Sequence, residues 1–122
     1  EVPGTRVGSA MPGGVVRRGT LKRVQFGTSD MMVTECCIGT MMWGSFNDKE
    51  EQAFEQLDRA IIEHGANFID TAELYPVAFN YGQTTERWIG NWLAERVKQG
   101  RVKRSDIYIA TKPNSARIGG FP

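Results

Sequence analysis

The chain has 122 residues, of which 40% are hydrophobic and 24% charged, a globular composition sufficient for one small core. No stretch approaches the ~18 consecutive apolar residues of a membrane-spanning helix. The formal net charge of +1 argues against broad electrostatic binding of nucleic acid.

That charge is unevenly spread. Residues 1–23 hold five basic groups and one acid, a balance of +4, and the remainder holds 10 basic and 13 acidic groups, a balance of −3. Residues 1–20 are rich in Gly, Val and Arg, carry Glu1 as their single acid and show no periodicity. Such a segment reads equally as the remainder of an organelle transit peptide or as a disordered extension, which leaves residues 21–122 as the folded part. It holds no apolar run of the kind a secretory signal needs. The two cysteines, Cys36 and Cys37, are neighbours. Adjacent strand residues point to opposite faces, so a disulfide between them would be strained. Reduced thiols in the cytoplasm or an organelle (plastid or mitochondrion), and no secretion, are expected. No metal site is expected.

Leu21–Gln25 and Met31–Thr34 are extended candidates separated by Gly27-Thr-Ser-Asp30, whose turn chemistry predicts a β-hairpin. Glu35–Gly39 predicts a first core strand. Asn47 with Glu50 three residues later fits a capping box. Ala53, Phe54, Leu57, Ala60 and Ile61 then recur at helical spacing, with Glu51, Glu55, Asp58 and Arg59 assigned to the outer side. Gly65 is the expected stop. Asn67–Asp70 predicts a short strand. A loop runs from Thr71 to about Gln83, broken by Pro76 and Gly82. Thr84 or Thr85 opens a second helix with Trp88, Ile89, Trp92, Leu93 and Val97 as its buried stripe. Arg96, Lys98, Arg101, Lys103 and Arg104 read as a solvated basic end that complements the helix dipole. Ile107–Thr111 predicts a parallel strand buried on both faces. The order hairpin, β, α, β, α, β predicts an α/β fold built of βαβ units on a parallel sheet.

Chemistry concentrates at the strand ends. Asp70 ends one strand, Tyr75 follows five residues later, and Lys112 ends the next. A free phenol has a pKa of about 10 and an adjacent ammonium favours its ionised form. Lys112 can serve in that way if it lies beside Tyr75, with Asp70 holding it in place.

From Leu21 to about Lys112 the chain resembles the first three βα units of the aldo-keto reductases. The resemblance rests on Gly39-Thr-Met-Met-Trp-Gly44, Asn67-Phe-Ile-Asp-Thr-Ala-Glu-Leu-Tyr75, Thr85-Glu-Arg-Trp-Ile-Gly90 and Ile109-Ala-Thr-Lys112, in that order. Tyr75-Pro-Val and Gly90-Asn-Trp-Leu93 look most like the bacterial and plant-type oxidoreductase branch. The resemblance implies the N-terminal part of a (β/α)8 barrel, with the hairpin plugging its bottom and the site at the C-terminal strand ends. It implies reduction of an aldehyde or ketone to an alcohol by NADPH, with Asp70, Tyr75 and Lys112 catalytic. Gly39, Thr40, Met41 and Asp70 would contact the cofactor, and Trp43 and Tyr75 the carbonyl substrate. Met41, Met42 and Trp43 are equally suited to packing.

The family's catalytic histidine has no counterpart, because the sole histidine, His64, lies before the second parallel strand. The resemblance therefore implies a truncated N-terminal piece, inactive alone and of low stability through the open edges of its outer strands. The alternatives are a non-catalytic nicotinamide-binding or interaction subunit and a nonfunctional truncated product.

Overall fold

The computed structural model describes residues 21–76 and 84–114. Expectations for residues 1–20, Val77, Gly82 and Gln83 lie outside the described residues. The elements run β1 (Arg23–Gln25), β2 (Met32–Thr34), β3 (Ile38–Gly39), α1 (Glu50–Leu57), β4 (Phe68–Asp70), α2 (Thr84–Lys98) and β5 (Tyr108–Ala110). This is the order that the alternation predicts, a mixed α/β arrangement.

β1 and β2 pair antiparallel, with Val24 opposite Val33. Gly27 makes the turn at φ +61°, a left-handed backbone that glycine adopts without steric cost. β3, β4 and β5 form a parallel sheet in that order. Its register sets Ile38, Ile69 and Ile109 side by side, and the next row is Gly39, Asp70 and Ala110. Successive residues of a strand face opposite sides. The isoleucine row packs into the core with Leu57, Ile61, Ile89 and Trp92 of the helices. The Asp70 row faces the other way.

Among the described residues the helices cover only one face of this sheet. β5 is accordingly half-buried at all three positions rather than enclosed on both sides, as its apolar, β-branched run predicts.

Asn67 joins the hairpin to the sheet. Its side-chain amide donates to the Met32 carbonyl at 2.9 Å, and its Oδ1 accepts from the Thr34 amide at 2.8 Å. Phe26 of the hairpin turn meets Phe68 edge-to-face at 5.6 Å. The hairpin therefore sits at the N-terminal end of β4, opposite Asp70.

Three local expectations are corrected. The first core strand is only Ile38–Gly39, and Cys36 and Cys37 precede it as exposed free thiols. Glu35 instead extends the hairpin, its amide donating to the Lys22 carbonyl at 2.9 Å. Asn47 does not cap α1, which begins at Glu50 after an extended Lys49 without a side-chain cap. Asn47 Oδ1 is engaged with Gln56 Nε2 at 3.2 Å, so the side chain holds the preceding loop to the helix flank. Val97 is 41% exposed and does not belong to the buried stripe of α2, whose buried residues are Thr85, Ile89 and Trp92.

α1 continues into a π-helical segment, Asp58–Glu63, and Gly65 ends it at φ +82°, the expected stop. Asp58, assigned to the outer side, instead faces α2. It accepts from Arg96 Nε at 2.8 Å, Arg96 Nη2 at 2.9 Å and Trp92 Nε1 at 2.8 Å. Arg96 is thus withdrawn from the supposed solvated basic end. Its side chain is 11% exposed, and its guanidinium also lies 5.4 Å over the Phe54 ring.

Candidate active site at the strand ends

Asp70 is the last residue of β4, flanked in register by Gly39 and Ala110. Neither neighbour carries a side chain longer than a methyl, so the carboxylate stands clear between them. Thr40, buried, donates its hydroxyl to the Asp70 carbonyl at 2.8 Å and ties the end of β3 to the end of β4. Beyond the strands the ladder continues. The Thr71 amide donates to the Ala110 carbonyl at 2.8 Å, and the Glu73 amide to the Lys112 carbonyl at 3.0 Å. Glu73 Oε1 also accepts from the Asn114 amide at 2.6 Å. These bonds carry Lys112 alongside the segment that leads to Tyr75.

Lys112 Nζ donates to both oxygens of Asp70, at 2.9 and 3.1 Å, and to the Thr71 carbonyl at 2.8 Å. The same ammonium lies 5.2 Å from the centroid of the Tyr75 ring, within cation–π range. The hydrogen bond to Asp70 holds Lys112 above the ordinary lysine value; desolvation opposes it, and the charges of Asp70 and Tyr75 add to it. Lys112 is therefore a cation throughout the neutral range. Three residues from two strand ends, separated by 42 positions between Asp70 and Lys112, meet at one place. The arrangement can hold a fixed positive charge beside a phenol.

The β3–α1 loop borders this place. Met41 and Met42 are 42% and 45% exposed, whereas Trp43 is enclosed in the core and its indole N–H donates to Gln56 Oε1 at 2.9 Å. Of the two uses open to these three residues, Trp43 packs. Gly44 has φ +106°, and a Cβ there would stand 3.0 Å from Pro76 Cγ. A residue with a side chain would be strained and would push against the segment carrying Tyr75.

Cys37 lies within electrostatic reach of the site. Burial, then the charges of Asp70 and Cys36, push its thiol up, with Lys112 partly offsetting them. A thiol held protonated is a poor nucleophile. His64 is an exposed turn residue after α1, at the far end of β4 from Asp70. Sequence reasoning missed Asn67, Glu73 and the Asp58–Arg96 pair. Glu73 lay inside a quoted motif, but nothing in its spacing signals a contact with Asn114.

Among the described residues no helix is long and apolar enough to cross a membrane. Known proteins with similar sequences point one way. The sequence model of the Aldo/keto reductase family matches residues 35–119. The chain is 38% identical over 86 residues to the "Uncharacterized oxidoreductase YrpG" of Bacillus subtilis, covering 70% of this chain and 24% of that protein. It is 36% identical over 96 residues to the norsolorinic acid reductase stcV of Emericella nidulans, covering 74% and 22%. It is 41% identical over 86 residues to Protein tas of Escherichia coli, covering 69% and 23%. The chain spans about a quarter of the length of these curated relatives. The matched span contains all three parallel strands, both helices and the Asp70–Tyr75–Lys112 cluster, and the chain belongs to the aldo/keto reductase family.

Proposed function

We propose that residues 21–122 form the first three βα units of a (β/α)8 reductase that converts an aldehyde or ketone to an alcohol with NADPH. The observation that carries this reading is the Asp70–Lys112 ion pair with its ammonium 5.2 Å over the Tyr75 ring, at the ends of adjacent parallel strands. The half-covered sheet supports it, because all-parallel sheets occur with both faces covered. In a closed barrel the Asp70 row would face the interior, and strand C-terminal ends form the active face.

In this reading Tyr75 is the general acid. Its phenolic proton passes to the carbonyl oxygen, the neighbouring ammonium stabilises the phenolate left behind, and Asp70 keeps the ammonium in place. A reduced nicotinamide, when bound, supplies the hydride that completes the alcohol. The residues present fit that group. Nothing lies within 4 Å of the position a Gly39 side chain would take, and the Asp70 carboxylate is 41% exposed. Gly39 and Asp70 would hold the nicotinamide side, with Met41 at its edge. Thr40 has its hydroxyl proton committed to Asp70 and would act on the cofactor through it. Trp43 would shape the substrate side from within the core, and Tyr75 would touch the substrate. The free cysteines suit a reducing compartment.

The test is Tyr75→Phe in the complete reductase. Turnover should fall by about 100- to 10,000-fold while affinity for NADPH, measured by quenching of protein fluorescence, stays the same. Unchanged turnover would sink the assigned role.

A further inference from the structure

The first turn of α2 reaches all three strand ends that build the site. Thr85 is fully buried. Its hydroxyl donates to the Trp43 carbonyl at 2.7 Å, in the loop after β3. Its amide donates to the Tyr75 carbonyl through a longer bond of 3.4 Å, in the loop after β4. Glu86, the next residue, accepts at Oε1 from the Thr111 hydroxyl at 2.6 Å, and Thr111 immediately precedes Lys112. Thr84 closes the same contact from outside, 3.3 Å from where a Gly44 side chain would begin.

We infer that Thr85 and Glu86 are positioning residues that hold Tyr75 against Lys112, an inference that rests on the reductase reading above. The physical case is one of geometry. The Tyr75 segment is tied to the β5 end through Thr71 and Glu73, which lie before Tyr75 in the loop, and Thr85 ties the Tyr75 carbonyl itself to α2. A buried hydroxyl without a partner is costly, so the Thr85–Trp43 bond fixes the spacing of two loops rather than decorating it. Because a displacement of about 1 Å at a reacting group costs up to 100-fold in rate, loss of this anchor should appear in turnover before it appears in binding.

The experiment compares Thr85→Val, Thr85→Ser and Glu86→Ala in the complete reductase, with benzaldehyde as substrate. Thr85→Val, which keeps the volume and removes the hydroxyl, should lower kcat by about 10- to 100-fold, with the Kd for NADPH within about twofold of wild type. Thr85→Ser should recover most of that loss. An unchanged kcat per folded molecule in Thr85→Val, or a failure of Thr85→Ser to recover, overturns the inference. Should Thr85→Val not fold, Glu86→Ala decides, because its partner Thr111 is exposed. A kcat reduced at least about fivefold supports positioning, and an unchanged one overturns it. If the wild type reduces no carbonyl compound, the reductase reading fails and positioning is read from Tyr75 itself. The ring resonance of 13C-labelled Tyr75 should then respond to Lys112→Met in the wild type and lose that response in the Thr85→Val background. A response that persists there overturns the inference.

Discussion

Asp58 and Asp70 each accept two short hydrogen bonds from one basic side chain, Arg96 at 2.8 and 2.9 Å and Lys112 at 2.9 and 3.1 Å. Their surroundings differ. The Asp58–Arg96 side chains lie between α1 and α2 with 24% and 11% of their surface exposed, whereas Asp70–Lys112 stands at the strand ends with 41% and 53% exposed. Asp58 gains a third donor in Trp92, so most of its acceptor capacity is taken up by the fold. Asp70 keeps open surface beside Gly39. Similar pairing therefore serves two ends. The enclosed pair joins two helices whose apolar faces are already packed, and the open pair fixes a charge where a ligand can reach it.

The comparison breaks most visibly at Asp58. Asp58→Ala leaves the Arg96 guanidinium and the Trp92 indole N–H without their acceptor, and stability should fall by about 2–3 kcal/mol, read as a lower urea midpoint at unchanged m-value. A loss below about 0.5 kcal/mol would place this pair with ordinary surface bridges.

A smaller effect follows from pH. Burial pushes the Asp58 carboxyl up, but the hydrogen bonds from Arg96 and Trp92 and the charges of Arg96 and Arg101 outweigh it and hold the group below the usual carboxylate range. A folded-state value below the unfolded one, about 3.9, gives stabilisation that is complete above the unfolded value. It is lost as pH falls through the folded value. The stability advantage of wild type over Asp58→Asn should be level above about pH 5 and shrink below about pH 4; an advantage that grows on acidification would contradict the pairing.

The smallest expected effect on stability is at the other pair. Lys112→Met should leave the urea midpoint unchanged, since exposed ion pairs contribute little, yet it should cripple carbonyl reduction in the complete reductase. A variant that unfolds readily and keeps its turnover would reverse the comparison.

The division of labour was only partly legible in the sequence. The order of Asp70, Tyr75 and Lys112 at predicted strand ends, together with the family resemblance, pointed to the candidate site, and strand ends are set by local apolar runs and the turn residues after them. Asp58 and Arg96 carried no such mark. One reads as an outward position on a helical wheel and the other as part of a basic helix end, and 38 residues separate them. Asn47 shows the same limit from the opposite side. Its capping pattern was locally sound, but the loop closed on Gln56 instead, and the helix began three residues later at Glu50.

By itself the sequence determined the order of elements, the stop at Gly65 and the residues available for chemistry. Each follows from periodicity and backbone preference within a few neighbours. Only the tertiary structure decided that Trp43 packs, that Asp58 turns to α2, that Asn67 holds the hairpin, and that Thr85 and Glu86 bridge three strand ends. Those outcomes depend on which groups meet across 10 to 42 positions, and such meetings are settled by packing helices on a twisted sheet, not by any local preference.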